Sequence, residues 1–443
     1  SFSSLMPLLD LIQKKKARIG ILGLGYVGLP LALNFNRNGY KVLGLDIDQR
    51  KITALKEGRS YIEHIPADEI AEMRDKGLLD ATTDFSKAAK CDALIICVPT
   101  PLDQHHAPDL SYVINTVEAV LPYLRVDQVM SLESTTYPGT TKEELQPRIE
   151  AKGFTIGKDY YLLFSPERED PGNKDFPSHK IPKIVGGTTP ACQEVGKALY
   201  EAAFEKVVPV SSPAVAEFAK LLENIYRSVN IGLVNEMKIV ADKMGIDVWE
   251  VINAAATKPF GFKAFYPGPG IGGHCIPVDP FYLTWKAKEY GIHTRFIEIA
   301  GEINEAMPEY VVRRTMETLN VRKKAMNGAR VLVMGLAYKA DVDDERESPS
   351  FAILDLLLQH GAKPEFYDPH VPIIRPVRKH PYWRGRKSIV WNQKNVEAYD
   401  AVIISTWHSA FNRKELLQWA DCIIDTRNAL VGAKAKKGQV VKA

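Results

Sequence analysis

Cys275 stands in the run Gly270-Ile271-Gly272-Gly273-His274-Cys275-Ile276-Pro277-Val278-Asp279-Pro280, a glycine-rich loop that leads into a helix ending near Tyr290. Such a loop lets backbone approach a ligand, and a thiol just before a helix N-terminus is biased toward the thiolate, its nucleophilic form. The alternative for a single Cys is a small buried hydrophobe. Asp279 followed by Pro280 suits an N-cap and first helical residue, a role that coexists with service as a base. Lys220 and Asn224 are four apart and share one face of a helix. Thr140 and Glu143 have capping-box spacing, which leaves Thr135, at a strand end, available for a ligand. Glu167, in Phe164-Ser165-Pro166-Glu167-Arg168, stands at a strand exit, where a carboxylate is an acid, a base or a surface charge.

A second group of residues points to a dinucleotide. Gly23-Leu24-Gly25-Tyr26-Val27-Gly28 follows a strand, opens a helix over Leu29 to Asn38, and is followed by a strand that ends at Asp46. The glycines permit a tight turn and close pyrophosphate approach, and the helix N-terminus faces the phosphates. Asp46 lies about 20 residues on, where a carboxylate pairs with ribose hydroxyls and repels a 2'-phosphate, so the cofactor is NAD. Arg50 falls near the same ribose, with a solvated helix position as its alternative. Val98-Pro99-Thr100 ends a strand where ligands sit in open α/β sheets.

Around these residues the chain alternates short β-rich runs (Arg18 to Leu22, Lys41 to Asp46, Ala93 to Val98, Val129 to Glu133, Tyr161 to Ser165) with helical patterns, which predicts a parallel sheet covered on both faces. From Pro213 to about Met244 one helical pattern runs unbroken. Val215, Phe218, Leu222, Ile225, Val229, Leu233, Met237 and Val240 mark one buried stripe, on a helix roughly 45 Å long that serves as a connecting spine. A second apolar face on it would be a dimer contact. Arg330 to Leu336, Ser350 to His360 and Lys363 to Asp368 repeat the strand–helix–strand–acid theme, with further strands at Ala401 to Ser405 and Cys422 to Asp425. The expected fold is α/β: two Rossmann-like parallel-sheet domains, 1–210 and 323–443, joined by a long central helix and a small helical domain, 211–322.

Composition narrows the function classes. With 57 basic and 54 acidic residues in 443, the chain has no strongly basic balance of the kind nucleic-acid binding needs. Five cysteines, an odd number without CxxC or zinc-ligand spacing, suit a reducing compartment. Leu5 to Ile12 precede Lys14, Lys15 and Lys16, the reverse of a secretory signal, and no apolar run reaches membrane-spanning length. The expectation is a cytoplasmic protein with no membrane partner and no metal, since the histidines form no ligand-spaced cluster.

Taken together, the GLGYVGLP turn, Ser134-Thr135, Pro166-Glu167, AEFAKLLEN, GGHCIPVDP, GLAYK and RESPS resemble the UDP-glucose/GDP-mannose dehydrogenase family from Arg18 to about Asn428. ESTTYPGTT, SPEREDPGN, KPFGF and FYPGPGIGGHCIPVDP narrow the likeness to bacterial enzymes that oxidise UDP-N-acetylhexosamines, in particular those acting on UDP-N-acetylglucosamine in O-antigen synthesis. Where UDP-glucose enzymes have a bulky apolar residue after Pro-Glu, this chain has Arg168. The resemblance implies an NAD-dependent, four-electron oxidation of the C6 alcohol to the acid. Asp279, with a water near Thr135 and Lys220, would take the first proton; Cys275 would attack the aldehyde; Lys220 and Asn224 would stabilise the thiohemiacetal oxyanion; Glu167 would direct water onto the thioester. It also implies UDP binding in the second fold through Lys339 and Arg346, a sugar-phosphate loop lined by Tyr266 and Gly270, contacts from Arg168, and a homodimer or larger homo-oligomer. Lys258 or Lys263 stands nearest to where relatives place a neighbouring subunit's Arg. Rival readings are a two-electron β-hydroxyacid dehydrogenase, which needs neither the Cys275 loop nor a second nucleotide fold, and a non-catalytic nucleotide-sugar binding protein.

Overall fold

The computed structural model describes residues 7–169, 177–273, 276–376 and 379–443, so His274 and Cys275 lie outside the described residues. The chain divides into two compact units, Ser1–Glu223 with Phe281–Ile292, and Asn224–Pro280 with His293–Ala443. Among the described residues no helix is long and apolar enough to cross a membrane.

The first unit is built on eight strands: β1 (Ile19–Leu22), β2 (Val42–Leu45), β3 (Leu79–Thr82), β4 (Ala93–Ile96), β5 (Gln128–Leu132), β6 (Tyr160–Phe164), β7 (Lys183–Gly187) and β8 (Val207–Val210), in the order 3-2-1-4-5-6-7-8. β1, β2, β4, β5 and β6 are buried at every position, as continuous apolar runs must be when helices cover both faces of a sheet. β1 lies between β2 and β4, Ile19 beside Val42 on one side and Ala93 on the other. The strand order reverses there, and ligands collect outside the carboxyl ends of strands at such a point. One departure from the expected parallel sheet is β7, which runs antiparallel to β6 with Phe164 opposite Gly186.

The second unit carries β9 (Arg330–Met334), β10 (Lys363–Tyr367), β11 (Ala401–Ile404), β12 (Ile423–Asp425) and β13 (Val440–Lys442), all parallel in the order 10-9-11-12-13. Side chains alternate between two cores. Val331, Val333, Ile403 and Ile424 face Leu319, Leu354 and Leu357, whereas Leu332, Met334, Val402, Ile404 and Ile423 face Val396 and Leu416.

The helix Pro213–Met244 forms as its pattern predicts, over 32 residues, but the expected buried stripe faces outward, with only Ile225 and Val229 of its eight residues half-buried. Val215, Phe218, Leu222, Leu233, Met237 and Val240 are 41–57% exposed, while Glu217, Lys220, Asn224, Ser228, Asn235 and Lys238 on the opposite side are buried with Ala216, Leu221 and Ala241. Periodicity identifies an apolar stripe without saying whether the chain's own core or another surface covers it.

Candidate active site

In the first unit each glycine of the turn has a separate task. Gly23 has φ +96°, a conformation that a side chain opposes. A Cβ on Gly28 would lie 1.7 Å from the Gly23 carbonyl oxygen, whereas one on Gly25 would meet nothing within 4 Å. Helix–strand contact therefore demands the third glycine, and the second leaves open space over the turn. The helix Gly28–Arg37 has no side-chain cap at Val27; Leu29 N and Leu31 N donate to Gly25 O and Val27 O at 3.1 and 3.2 Å and Pro30 has no amide hydrogen, so an anion would meet the glycine turn that opens the helix. Tyr26 stacks on His64 with ring centroids 6.4 Å apart.

Asp46 is buried at the end of β2. It accepts from Leu24 N at 2.8 Å and Asp48 N at 2.9 Å, and pairs with Lys51 Nζ at 3.3 Å. The acid thus fixes the glycine turn; Lys51, a cation beside it, was not singled out in the sequence. Arg50 is exposed and paired with Asp48 at 2.8 Å, its hydrogen bond holding the Asp48 carboxyl down to about 2. An open second glycine, a helix opening at the third and an acid at the strand exit fit a dinucleotide.

The next strand exits are tied to one another. Ser134 Oγ donates to Val98 O at 2.7 Å and Thr100 Oγ1 donates to Thr135 O at 2.7 Å, while Tyr282 OH donates to Thr100 O. Val98-Pro99-Thr100 and Thr135 therefore share one corner. The expected Thr140–Glu143 capping box is absent: Thr140 is itself helical and bonds Tyr137 O at 2.7 Å. The buried Glu217 of the long helix takes over, accepting from Gly139 N at 2.6 Å and Thr141 N at 2.9 Å. Burial pushes the Glu217 carboxyl up, although these donors oppose the shift. Lys220, also buried, has no ion pair among the described residues. Glu167 accepts from Glu169 N, and Arg168 is fastened to Pro182 O at 2.6 Å and to Glu223 at 2.8 Å.

In the second unit, Asn224 Nδ2 donates to Asp279 Oδ2 at 2.5 Å. An amide relay steadies the loop before Cys275: Gly268 N donates to Asn235 Oδ1 at 3.0 Å, Asn235 Nδ2 to Asn304 Oδ1 at 2.9 Å, and Asn304 Nδ2 to Ser228 O at 3.1 Å. Gly272 and Gly273 pack on Tyr338, where a Cβ would come within 2.6 and 2.9 Å, and Gly273 N donates to Arg346 O at 3.1 Å. The glycine-rich loop and the Gly335–Lys339 turn are thereby in contact. Lys339 is half-buried beside it, and Arg346 clasps Asp344 with Nη2 at 2.6 Å. Gly270 packs on Pro349, and the exposed Tyr266 donates to Asn253 at 2.8 Å.

Arg427, which sequence reasoning missed, lies under this loop, where a Cβ on Gly268 would meet its Nη1 at 2.5 Å; burial draws its pKa down to about 10. A charged residue after a strand acid was the signal available. Asp368, at the end of β10, repeats the Asp46 arrangement with Leu336 N at 2.7 Å, but it is fully enclosed and also takes His408 Nε2 at 2.9 Å. A ribose cannot reach it. Asp341, His370 and His408 come close enough to suggest a metal, yet His408 spends its other nitrogen accepting from Asp341 N at 2.9 Å.

A glycine turn fitted to NAD, a second parallel sheet whose equivalent acid is sealed, and a buried Asn–Asp pair define a nicotinamide-dependent dehydrogenase with a second nucleotide-type domain. The chain belongs to the UDP-glucose/GDP-mannose dehydrogenase family: family models match its NAD binding domain over residues 17–204, its central domain over 214–306 and its UDP binding domain over 332–432. It is 36% identical to UDP-N-acetyl-D-glucosamine 6-dehydrogenase of Pseudomonas aeruginosa across 90% of this chain and 92% of that one. It is 34% identical to an NDP-N-acetyl-D-galactosaminuronic acid dehydrogenase of Ralstonia nicotianae, across 80% and 84%. The structure of UDP-D-ManNAc dehydrogenase from Pyrococcus horikoshii superposes with a TM-score of 0.86 at 31% identity, covering 96% of this chain and 98% of that one. The chain is thus a nucleotide-sugar dehydrogenase that uses NAD.

Proposed function

We propose that this enzyme oxidises the C6 alcohol of UDP-N-acetylglucosamine to the uronic acid for surface polysaccharide synthesis. The observation that carries the chemistry is the buried Asn224–Asp279 pair, at 2.5 Å, whose Asp279 stands four residues after the Cys275 position in sequence. The choice of sugar rests on the full-length likeness to the Pseudomonas enzyme and on Arg168, a cation anchored on the long helix where an apolar residue suits glucose.

NAD supplies the hydride acceptor, once for each of two oxidations. Asp279, with a water near Thr135 and Lys220, takes the alcohol proton as the aldehyde forms. Cys275 adds to the aldehyde as a thiolate, and the oxyanion is held by Lys220 and Asn224 until loss of the second hydride leaves a thioester. Water then attacks the acyl carbon, Glu167 receives its proton, and the thiolate departs. Lys339, Arg346, Tyr266 and Gly270 hold the UDP-sugar. Two NAD and one water are consumed per sugar.

The enzyme works as a homodimer through the long helix. Six large apolar side chains at 41–57% exposure on one face exceed what a soluble chain leaves to water without purpose, and a second copy of the same helix is a self-complementary cover. Four free, buried thiols among the described residues suit a cytoplasmic setting. Incubating a panel of UDP-sugars with NAD and scoring NADH yield tests the assignment. Preference for UDP-N-acetylglucosamine supports it, and preference for the galacto or manno epimer replaces it.

A further inference from the structure

Glu133 and Lys183 are 0% and 3% exposed and form an ion pair in the first unit. Glu133 directly follows β5 and precedes Ser134-Thr135; Lys183 opens β7. β7 runs antiparallel to β6 with Phe164 opposite Gly186, so the start of β7 lies beside the segment that leaves β6 toward Glu167. Lys183 Nζ donates to Pro166 O at 2.9 Å, the carbonyl of the peptide bond that leads into Glu167, and Ser165 Oγ donates to Ile184 O at 2.6 Å. On the other side Glu133 N donates to Ile96 O at 3.0 Å. The exits of β4, β5 and β6 are therefore fastened together at the end of the sheet where ligands sit. Stability does not call for charges here: apolar groups of similar volume replace buried ion pairs with little loss or some gain, and Lys183 already packs over the Tyr200 and Phe204 rings at 5.2 Å.

We propose that the Glu133–Lys183 ion pair is a positioning element, holding the strand exit that bears Glu167 in the geometry that thioester hydrolysis requires. This rests on the role given to Glu167 above. Neither residue of the pair touches substrate. Loss of the Lys183 ammonium releases the Pro166 carbonyl and lets Glu167 drift, slowing the step in which water attacks the acyl carbon and the sulfur leaves, without altering the binding of either substrate.

Lys183→Met, Glu133→Gln and the double variant Glu133→Leu/Lys183→Met are to be compared at pH 8.5 for kcat, for KM of both substrates and for the intact mass of the enzyme during turnover. The expected result is a kcat lowered about tenfold to a hundredfold, KM values within about twofold of wild type, and a population of Lys183→Met heavier by the esterified sugar nucleotide. The double variant remains as stable as wild type and as slow as Lys183→Met. Normal kcat in any folded variant, or KM rising in step with a falling kcat, overturns the proposal, as does failure of all three to fold, which would make the pair structural. Wild-type NADH yield separates the two levels: without two NADH per sugar the functional reading itself fails, whatever the variants do.

Discussion

Asn224 and Asp279 face each other at 2.5 Å with 5% and 1% of their surfaces exposed, an amide donor on the long helix set against a carboxylate that begins the helix Asp279–Glu289. Asn224→Ala should lower kcat about tenfold to a hundredfold. Asn224→Asp sets two carboxylates in contact; like charges raise one pKa, so the activity profile of that variant should shift to higher pH. A profile identical to wild type in Asn224→Asp would show that the pair plays no part in proton transfer.

The glycine turn separates folding from binding. Gly28→Ala thrusts a methyl onto the Gly23 carbonyl and should cost about 2–4 kcal/mol of stability. Gly25→Ala meets no protein atom; its melting temperature should match wild type while NAD affinity falls about tenfold or more. Thermal melts and NAD titrations on both variants check this.

Much of this layout was legible in the residues. The GLGYVG turn and Asp46 stood out because a dinucleotide requires a fixed order of strand, glycines, helix and acid. β3 and β13 did not, because Leu79–Thr82 and Val440–Lys442 are too short for a periodic signal; nor did β7 and β8, one ending in two glycines and the other interrupted by Pro209. The reversal of β7 is a tertiary pairing without a local signature. Thr140 and Glu143 had the spacing of a capping box, but Glu217, 76 residues from Thr141 in sequence, supplies the acceptor instead. The long helix was correct in extent and inverted in burial, since its polar face serves Asn224, Asn235 and Lys238 while its apolar face looks outward.

That outward face yields a prediction. Leu222→Glu with Leu233→Glu, at positions 57% and 51% exposed in one chain, should leave folding intact and convert a dimer into monomers by sedimentation velocity, because each charge would be buried unpaired at the interface. A wild-type chain that sediments as a monomer would dismiss the helix as a contact.

Glu133 links stability to pH. Burial pushes its carboxyl from 4.5 up to about 7, with Lys183 opposing and Glu167 adding to the shift. The folded chain keeps a proton that the unfolded chain has released, so this contribution is full below about pH 4.5 and fades as the pH climbs through about 7. Urea titrations should show wild type losing up to about 3 kcal/mol relative to Glu133→Gln between pH 5 and pH 8. Parallel curves for the two proteins would place the Glu133 pKa in the ordinary range.

The most direct test of the central claim, a four-electron oxidation carried by Cys275, is NADH counted against UDP-N-acetylglucosamine consumed, in wild type and in Cys275→Ala. Two NADH per sugar from wild type, with no uronic acid from a variant that still binds the sugar nucleotide, is the predicted result. One NADH per sugar, or acid formed at the wild-type rate without the sulfur, would contradict it.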